Sequence, residues 1–106
     1  MPTDNITFAD NSLAHRYELH VGGELAGFAE YTLQTQAVTF THTEVLPAFE
    51  GQGIASRLAR FALDNVRQRG LQAIPLCEFI AGYIQRRPEY QDLVTGKPQP
   101  GLEAQP

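Results

Sequence analysis

The sequence predicts a mixed α/β domain of the α+β class, in which an antiparallel meander of four strands is followed by a helix and one parallel strand. The first 46 residues have the pattern of strands and turns, and in "HRYELHV" the residues His15, Tyr17, Leu19 and Val21 alternate with Arg16, Glu18 and His20. Residues 51 to 69 instead repeat their apolar residues with the period of a helix, and a short apolar stretch follows Gly70. A strand, a helix and a strand in succession form a right-handed crossover, so the last strand should run parallel to the fourth.

Turn-forming residues divide the first part of the chain into four strands. Gly22 and Gly23 supply a two-residue hairpin turn, because glycine reaches positive φ without a steric penalty. The other two connections are the turn-like segments "DNS" and "QTQ". The strands that these turns separate are "NITF", "HRYELHV", "ELAGFAEYTL" and "AVTFTHTEVL".

The pattern of residues 51 to 69 predicts the crossover helix, at about residues 52 to 69. At 100° per residue the apolar side chains fill one side and the charged ones the other, and Gly70 is a suitable stop. Asn65 falls within the apolar arc, where a buried amide needs a hydrogen-bond partner that the pattern does not identify. The apolar side consists of Ile54, Ala55, Leu58, Ala59, Phe61, Ala62, Leu63 and Val66.

The segment after the helix predicts a fifth strand and a second, short helix. "LQAIPLC" is apolar and contains Pro75, which removes at least one hydrogen bond of the strand ladder. "EFIAGYIQRR" has the character of a helix that ends before Pro88. We expect residues 1–94 to form the single domain and the Pro-, Gly- and Gln-rich residues 95–106 to be a disordered tail.

Length and composition limit the class of protein. A chain of 106 residues forms one domain, and its 42% hydrophobic content with six Phe and four Tyr favours a folded globule over a disordered chain. Its single cysteine excludes an internal disulfide, the amino terminus has no signal-peptide pattern, and no apolar run approaches the ~20 residues of a membrane span. We therefore expect a soluble, cytoplasmic protein with no membrane partner.

Charge is distributed unevenly within a net charge of -4. Residues 1 to 50 hold seven acidic side chains against Arg16 alone, so this half is a poor surface for nucleic acid. Residues 51 to 69 hold four arginines against Asp64, and such a basic element could attract a small anion. The alternative is that these charges only solvate the outer faces of the fold.

Two glycines flank a glutamine where the crossover helix begins, in "EGQGIASRL". A helix start carries unpaired backbone N–H groups and a partial positive charge, and glycines there let an anion approach the backbone. The segment lacks the nucleotide-hydrolase pattern G-x-x-x-x-G-K-[ST] and the third glycine of the dinucleotide fingerprint. It predicts a phosphate cradle, although glycines at a strand-to-helix turn are often purely structural.

The longer segment "VLPAFEGQGIASRL" resembles the acetyl-coenzyme A motif of the GNAT acetyltransferases. With "THTEV" before it, and "PLCEF", "GYIQRRPEY" and "DLV" after it, the chain is similar to the small GNAT-like subfamily of about a hundred residues. The similarity covers roughly residues 15 to 94. It implies that strands four and five splay apart, with the pantetheine arm of acetyl-CoA in the gap and the pyrophosphate at the helix start.

The same resemblance implies which residues bind the cofactor. Val45 and Leu46 would offer backbone groups to pantetheine. Glu50 departs from the family pattern, which has Gln or Arg there, and a carboxylate beside a diphosphate is unfavourable unless it points away. The pyrophosphate loop would consist of Gly51, Gln52, Gly53, Ile54, Ala55 and Ser56.

Acetyl transfer needs a deprotonated amine, and "THTEV" offers two candidates for the base. His42 and Glu44 are two residues apart and therefore share a strand face unless a bulge intervenes. Either could take the proton, directly or through water. The structural alternative is that His42 packs beside Phe40 and Val38 while Glu44 lies at the rim.

Two further side chains are candidates for the chemistry. Tyr83 lies near where many GNAT enzymes keep a tyrosine that can protonate the departing thiolate, and the alternative is an amphipathic tyrosine of the core. Cys77 precedes the second helix and in the GNAT-like arrangement lines the gap, so it could form an acetyl-cysteine with His42 taking the proton. A buried cysteine that only packs is the alternative.

Two functions of different classes follow from these residues. The first is an N-acetyltransferase that uses acetyl-CoA as co-substrate, without a metal, and an unidentified amine as acceptor. The acidic first half favours it, because an amine is cationic before it loses its proton. The second is an acyl-CoA-binding or sensing module with little turnover, which the small size of the chain favours.

Overall fold

The computed structural model describes residues 5–94, which form one five-stranded sheet and its helices. The predicted tail, residues 95–106, lies outside the described residues. In the described part no helix is both long and apolar enough to cross a membrane. The strands are β1 (Ile6–Asn11), β2 (Arg16–Val21), β3 (Glu24–Leu33), β4 (Ala37–Val45) and β5 (Gln72–Pro75). The α-helices are α1 (Ile54–Gln68) and α2 (Glu78–Gln85), with 3-10 turns at Pro47–Phe49 and Pro88–Leu93.

The sheet has the order β1-β2-β3-β4-β5, which confirms the predicted topology. The first three pairings are antiparallel, and β4 pairs with β5 in parallel after the crossover through α1. The helix begins at Ile54 rather than at about residue 52, because Gly51 and Gly53 adopt left-handed backbone angles, with φ of 83° and 74°. The loop before the helix is therefore longer than the hydrophobic pattern predicts.

The core lies between one face of the sheet and the apolar side of α1. Tyr17, Leu19 and Phe40 point from the strands toward Leu58 and Leu63 of the helix, and all five are fully buried. Burial of one such aliphatic or aromatic side chain contributes about 1.5–3 kcal/mol. This packing fixes where the first turn of α1 lies relative to the end of β4.

Asn65 has the partner that a buried amide needs. The Tyr17 hydroxyl donates a hydrogen bond to its side-chain oxygen at 2.9 Å. Burial, together with the negative charge of Asp10, raises the pKa of Tyr17 to about 12, and nearby Arg69 offsets part of that rise. Tyr17 is therefore a neutral hydrogen-bond donor at physiological pH, and it joins β2 to α1 inside the core.

Hydrogen bonds join the end of α1 to the segment that follows α2. Arg67 donates two hydrogen bonds to the carboxylate of Asp92, at 3.0 and 2.9 Å, and a third to the carbonyl of Glu89. The bond from Arg67 holds the pKa of Asp92 below its usual value, although burial opposes that shift. Tyr90 adds a bond from its hydroxyl to Asp64 at 2.6 Å, so four side chains hold residues 88–93 against the helix.

A β-bulge interrupts β4 and reverses its alternation. Tyr31 of β3 pairs with Phe40 and Glu30 pairs with His42, which leaves Thr41 as an extra residue. Before the bulge Phe40 points into the core, whereas after it His42 is exposed to solvent, with 54% of its side chain accessible. The structural alternative in which His42 packs beside Phe40 and Val38 is therefore wrong, because the inserted residue turns it to the other face.

Gly27 of β3 lets the first turn of α1 approach the sheet. A Cβ at this position would lie 3.0 Å from the carbonyl oxygen of Glu44 and 3.1 Å from the Cγ2 atom of Ile54. Real Cβ contacts are rarely this short, so either the strand or the helix would have to shift. The absent side chain thus sets the distance between β4 and the start of α1.

We expect Gly27→Ala to lower the free energy of unfolding by about 1–3 kcal/mol, the usual cost of overpacking a tight core. Urea unfolding measures the change. Gly82→Ala in α2 is the matched control, because its Cβ would meet only the flexible Arg86 side chain at 3.4 Å. Alanine favours a helix interior over glycine by about 1 kcal/mol, so the control should be stabilised. Equal stability of Gly27→Ala and wild type would contradict the tight contact.

Candidate functional site

An open cleft of about 220 Å³ lies where the glycine-rich loop meets the end of β4. The left-handed backbone angles of Gly51 and Gly53 shape its floor, and a Cβ built on either glycine meets no atom within 4 Å. The glycines are therefore required by their φ angles, and the space above them is free for a ligand. The cleft is lined by Val45, Phe49, Glu50, Gly51, Gly53, Ile54, Ala55 and Ser56.

Backbone N–H groups at the start of α1 are the polar feature of this cleft. The first N–H groups of any α-helix lack intrahelical partners, and Gly53 at the N-cap has no side chain to bind them. The bond from the Arg57 N–H to the Gly53 carbonyl, at 3.2 Å, closes the first turn. Residues 54 to 56 therefore present free N–H groups and the positive end of the helix dipole to the cleft.

Two of the predicted cofactor residues differ from the others in their contacts. Leu46 donates its N–H to the carbonyl of Ala26 at 2.8 Å, so this group already has a partner within the protein. Gln52 is exposed in the loop and does not line the cleft. Glu50 does line it and is the one charged side chain among the described residues that do, so its carboxylate opposes an anionic ligand.

The ladder between β4 and β5 is short, and we call the region between the unpaired end of β4 and the start of α2 the gap. The last parallel pair joins Phe40 to Pro75, while β4 continues to Val45. The Phe40 carbonyl accepts hydrogen bonds from the N–H groups of Leu76 and Cys77, at 3.0 and 2.9 Å. Beyond this point the chain turns into α2, so the last five residues of β4 have no β5 partner on that side.

Cys77 and Thr43 face each other across this gap. The Cys77 thiol donates a hydrogen bond to the Thr43 hydroxyl, with 3.2 Å between Sγ and Oγ1. Cys77 is buried at the N-cap of α2, with 8% of its surface accessible. The sequence predicts Cys77 at the gap but not Thr43, because the phase of the strand after an unpredicted bulge cannot be inferred from alternation.

His42 and Glu44 form a hydrogen-bonded pair on the opposite face of β4. The distance between Nε2 of His42 and Oε1 of Glu44 is 3.0 Å, and about half of each side chain is exposed. The ring of Phe28 lies 6.2 Å from that of His42, centroid to centroid. The structure thus brings the two predicted base candidates together. It does not place His42 beside Cys77, whose sulfur lies against Thr43.

The face that carries this pair is acidic, and we call it the outer face. It comprises Arg16, Glu18, Phe28, Glu30, His42 and Glu44, which are cross-strand neighbours in β2, β3 and β4. The guanidinium of Arg16 lies 4.6 Å from the centroid of the Phe28 ring. Three carboxylates against one arginine give this face a negative balance, which suits the approach of a cationic amine.

Glu18 stays ionised although it is the most buried carboxylate of the outer face, with 7% of its surface accessible. Burial alone would raise its pKa. Hydrogen bonds from Arg16 at 2.7 Å and Asn11 at 2.9 Å, with the charges of Arg16 and His20, outweigh burial and lower that pKa. The negative charge of this face therefore persists at physiological pH.

Tyr83 packs with its ring in the core, where 3% of the residue is exposed. Its ring lies between those of Phe79 and Tyr90, at centroid distances of 6.4 and 6.1 Å, and the Arg87 guanidinium lies 5.1 Å from its centroid. The predicted packing role is thus visible in the structure. A role for the hydroxyl as proton donor stays a prediction.

Proteins of similar sequence are found among vertebrates. Protein NATD1 of Xenopus tropicalis is 40% identical over 63 residues, which cover 59% of this chain and 58% of that protein. Protein NATD1 of Homo sapiens is 41% identical over 61 residues, which cover 58% of this chain and 54% of that protein. The chain therefore spans little more than half the length of these curated relatives.

Solved structures share the fold at low sequence identity. A GCN5-like protein from Staphylococcus aureus superposes with a TM-score of 0.68 at 18% identity, over 92% of this chain and 95% of that one. A ribosomal-protein-alanine N-acetyltransferase from Brucella melitensis biovar Abortus 2308 gives a TM-score of 0.55 at 19% identity, over 79% and 63%. Both comparisons place the five-stranded sheet and its crossover helix in the GNAT fold.

The cleft, the gap and the outer face all lie within the part of the chain that matches a known family. The sequence profile of the GCN5-related N-acetyltransferases matches residues 16–93, from the first residue of β2 to the end of the last 3-10 turn. Only β1 precedes the matched region in the described residues. With the fold agreeing and the glycine-rich loop at the start of α1, this chain belongs to the GCN5-related N-acetyltransferase family.

Proposed function

We propose that this protein transfers an acetyl group from acetyl-CoA to an amine. The observation that carries the proposal is that the cleft and the gap lie along the same strand, β4. Val45 lines the cleft, and Thr43, two residues earlier on the same strand, borders the gap. Two residues of a strand span about 7 Å, so an extended cofactor held at the helix start would place its thioester near Thr43.

Backbone groups would hold the cofactor. The free N–H groups of residues 54 to 56 and the helix dipole favour the diphosphate, while the Glu50 carboxylate opposes it. The side chains that line the cleft supply no positive charge among the described residues. Affinity for CoA would therefore depend on the close approach that Gly51 and Gly53 permit.

The His42–Glu44 pair would act as the base. With the proton of the imidazole on Nε2, that N–H donates to the Glu44 carboxylate and leaves Nδ1 free to accept a proton from the amine. The amine nitrogen then bonds to the acetyl carbon, the bond from that carbon to the CoA sulfur breaks, and CoA leaves as a thiolate that takes up a proton. Tyr83 is the predicted donor of that proton.

Cys77 offers a second route, because its sulfur borders the gap. In that route the acetyl group passes first to Cys77 and then to the amine. Acetyl-CoA without acceptor would add an acetyl mass to the chain, sensitive to hydroxylamine and absent from Cys77→Ala. Amine transfer by Cys77→Ala at the wild-type rate would establish direct transfer, with Cys77 only bordering the gap.

The test of the proposal is a thiol-release assay with acetyl-CoA and a panel of amines, together with calorimetric titration of CoA. We expect measurable binding and thiol release that depends on at least one amine. Binding without release by any amine would favour the acyl-CoA-binding module. Absence of binding would overturn the cofactor site itself.

A further inference from the structure

Thr43 and Cys77 are joined although their backbones are not paired. Both lie beyond the last β4–β5 ladder pair, yet the thiol and the hydroxyl meet at 3.2 Å. The Cys77 N–H is fixed by the Phe40 carbonyl at 2.9 Å, and Thr43 pairs with Ala29 within the sheet. Each partner of the side-chain bond therefore has a backbone held in place by a different element.

The bulge at Thr41 determines that this partner is a threonine. Neighbouring residues of a strand point to opposite faces, so Thr43 faces Cys77 and His42 faces away. His42 is also bonded to Glu44 on the outer face. The thiol thus has a neutral hydroxyl as its partner, and the imidazole lies on the outer face.

We infer that Thr43 is a positioning residue that fixes the Cys77 sulfur in the gap and stabilises its thiolate. A hydroxyl has one donor and two lone pairs, so it accepts a bond from the thiol and, after rotation, donates one to the thiolate. The β-branched side chain restricts χ1 of Thr43, which limits where the hydroxyl can be. Hydrogen bonds to ionised sulfur are stronger than those to the neutral thiol, so the thiolate gains more from this contact.

This inference rests on the proposed function in one respect, which is that the gap holds a thioester. If it does, exchange needs a sulfur that is ionised and fixed. The Cys77 thiolate bonds to the acetyl carbon, the bond to the CoA sulfur breaks, and the CoA thiolate takes up the proton that Cys77 released. Thr43 keeps its own proton throughout, because it only reverses the direction of its hydrogen bond.

The experiment measures alkylation of Cys77 by iodoacetamide in the folded full chain at one fixed pH. Cys77 is the only thiol in the sequence, so the rate needs no correction for other cysteines. We expect Thr43→Val, which keeps the shape but lacks the hydroxyl, to slow alkylation by about tenfold. Thr43→Ser should restore the rate to within about threefold of wild type, because it keeps the hydroxyl.

Thr7→Val is the matched control, because Thr7 is an exposed threonine of β1, away from the bulge, and should leave the rate unchanged. Rates in urea should be equal for all variants, and thermal unfolding identifies any variant that fails to fold. A wild-type rate for Thr43→Val would overturn the inference, and so would a Thr43→Ser rate as slow as that of Thr43→Val.

The role of Thr43 and the proposed acetyl transfer can be contradicted independently of each other. Alkylation does not require CoA, so a protein that fails to bind CoA can still show the effect of Thr43. If CoA binds and acetyl-cysteine forms, Thr43→Val should slow its formation by the same factor as alkylation. Acetylation unaffected by a variant that slows alkylation would show that the hydroxyl serves the thiol but not the transfer.

Discussion

Replacement of Gly53 by Val should weaken CoA binding by about a hundredfold or more. Gly53 has φ of 74° and forms the N-cap of α1, and its missing side chain leaves open space above the helix start. A branched side chain there would fill the space that a diphosphate needs and would strain the left-handed backbone. Loss of charge-assisted bonds to two N–H groups accounts for the expected size, and calorimetry measures it.

Gly70→Val is the matched control at the other end of the same helix. Gly70 also has a left-handed backbone, with φ of 71°, and its Cβ would likewise meet no atom within 4 Å. Both variants should therefore lose similar stability, but only Gly53→Val should lose CoA. Equal CoA affinities for the two variants would contradict the cofactor site at the glycine-rich loop.

Removal of the His42 imidazole should lower turnover by about 10²- to 10⁴-fold, the range of general base catalysis. His42→Ala leaves Glu44 without its partner but does not touch the glycine-rich loop, so CoA affinity should stay near the wild-type value. Glu44→Gln should have a smaller effect, because the amide still bonds to the ring and only the charge is lost. Steady-state kinetics with the best amine of the panel gives both values.

His20→Ala is the control for this effect. His20 is also a histidine beside a glutamate, with its Nε2 atom 3.6 Å from Oε1 of Glu18, but it lies in β2. Its removal should leave turnover within about threefold of wild type. Unchanged turnover in His42→Ala, in Glu44→Gln and in the double variant would assign the pair a structural role.

The arrangement of strands and helices could be predicted from local patterns. The glycine pair at 22 and 23, the helical period of residues 54 to 68 and the apolar stretch around Ala73 each determine one step of the topology. Each of these patterns involves residues that are close in sequence. Once the strand, the helix and the next strand are identified, the right-handed crossover and the parallel last strand follow. The glycine-rich loop was predictable because positive φ and a free helix start both require glycine at fixed positions.

Contacts between distant residues were not predictable in this way. The bond from Tyr17 to Asn65 joins two elements 48 positions apart, and no local pattern encodes it. Arg67 lies on the charged side of α1 by the helical period, yet it holds Asp92 and the last turn of the chain that the structure describes. Arg67→Ala is therefore a poor neutral control for binding studies, which is why Gly70 serves instead.

The bulge at Thr41 divides β4 into two parts whose side chains alternate between the two faces of the sheet in opposite phase. Residues before it present alternate positions to the core, and residues after it present the complementary set. If Thr41 instead paired with Glu30 in a regular ladder, the residues after it would exchange faces: the imidazole would face the thiol and the Thr43 hydroxyl would lie on the outer face. Which side chains of β4 share a face can therefore change through the pairing of one backbone residue alone, with every amino acid of the strand retained.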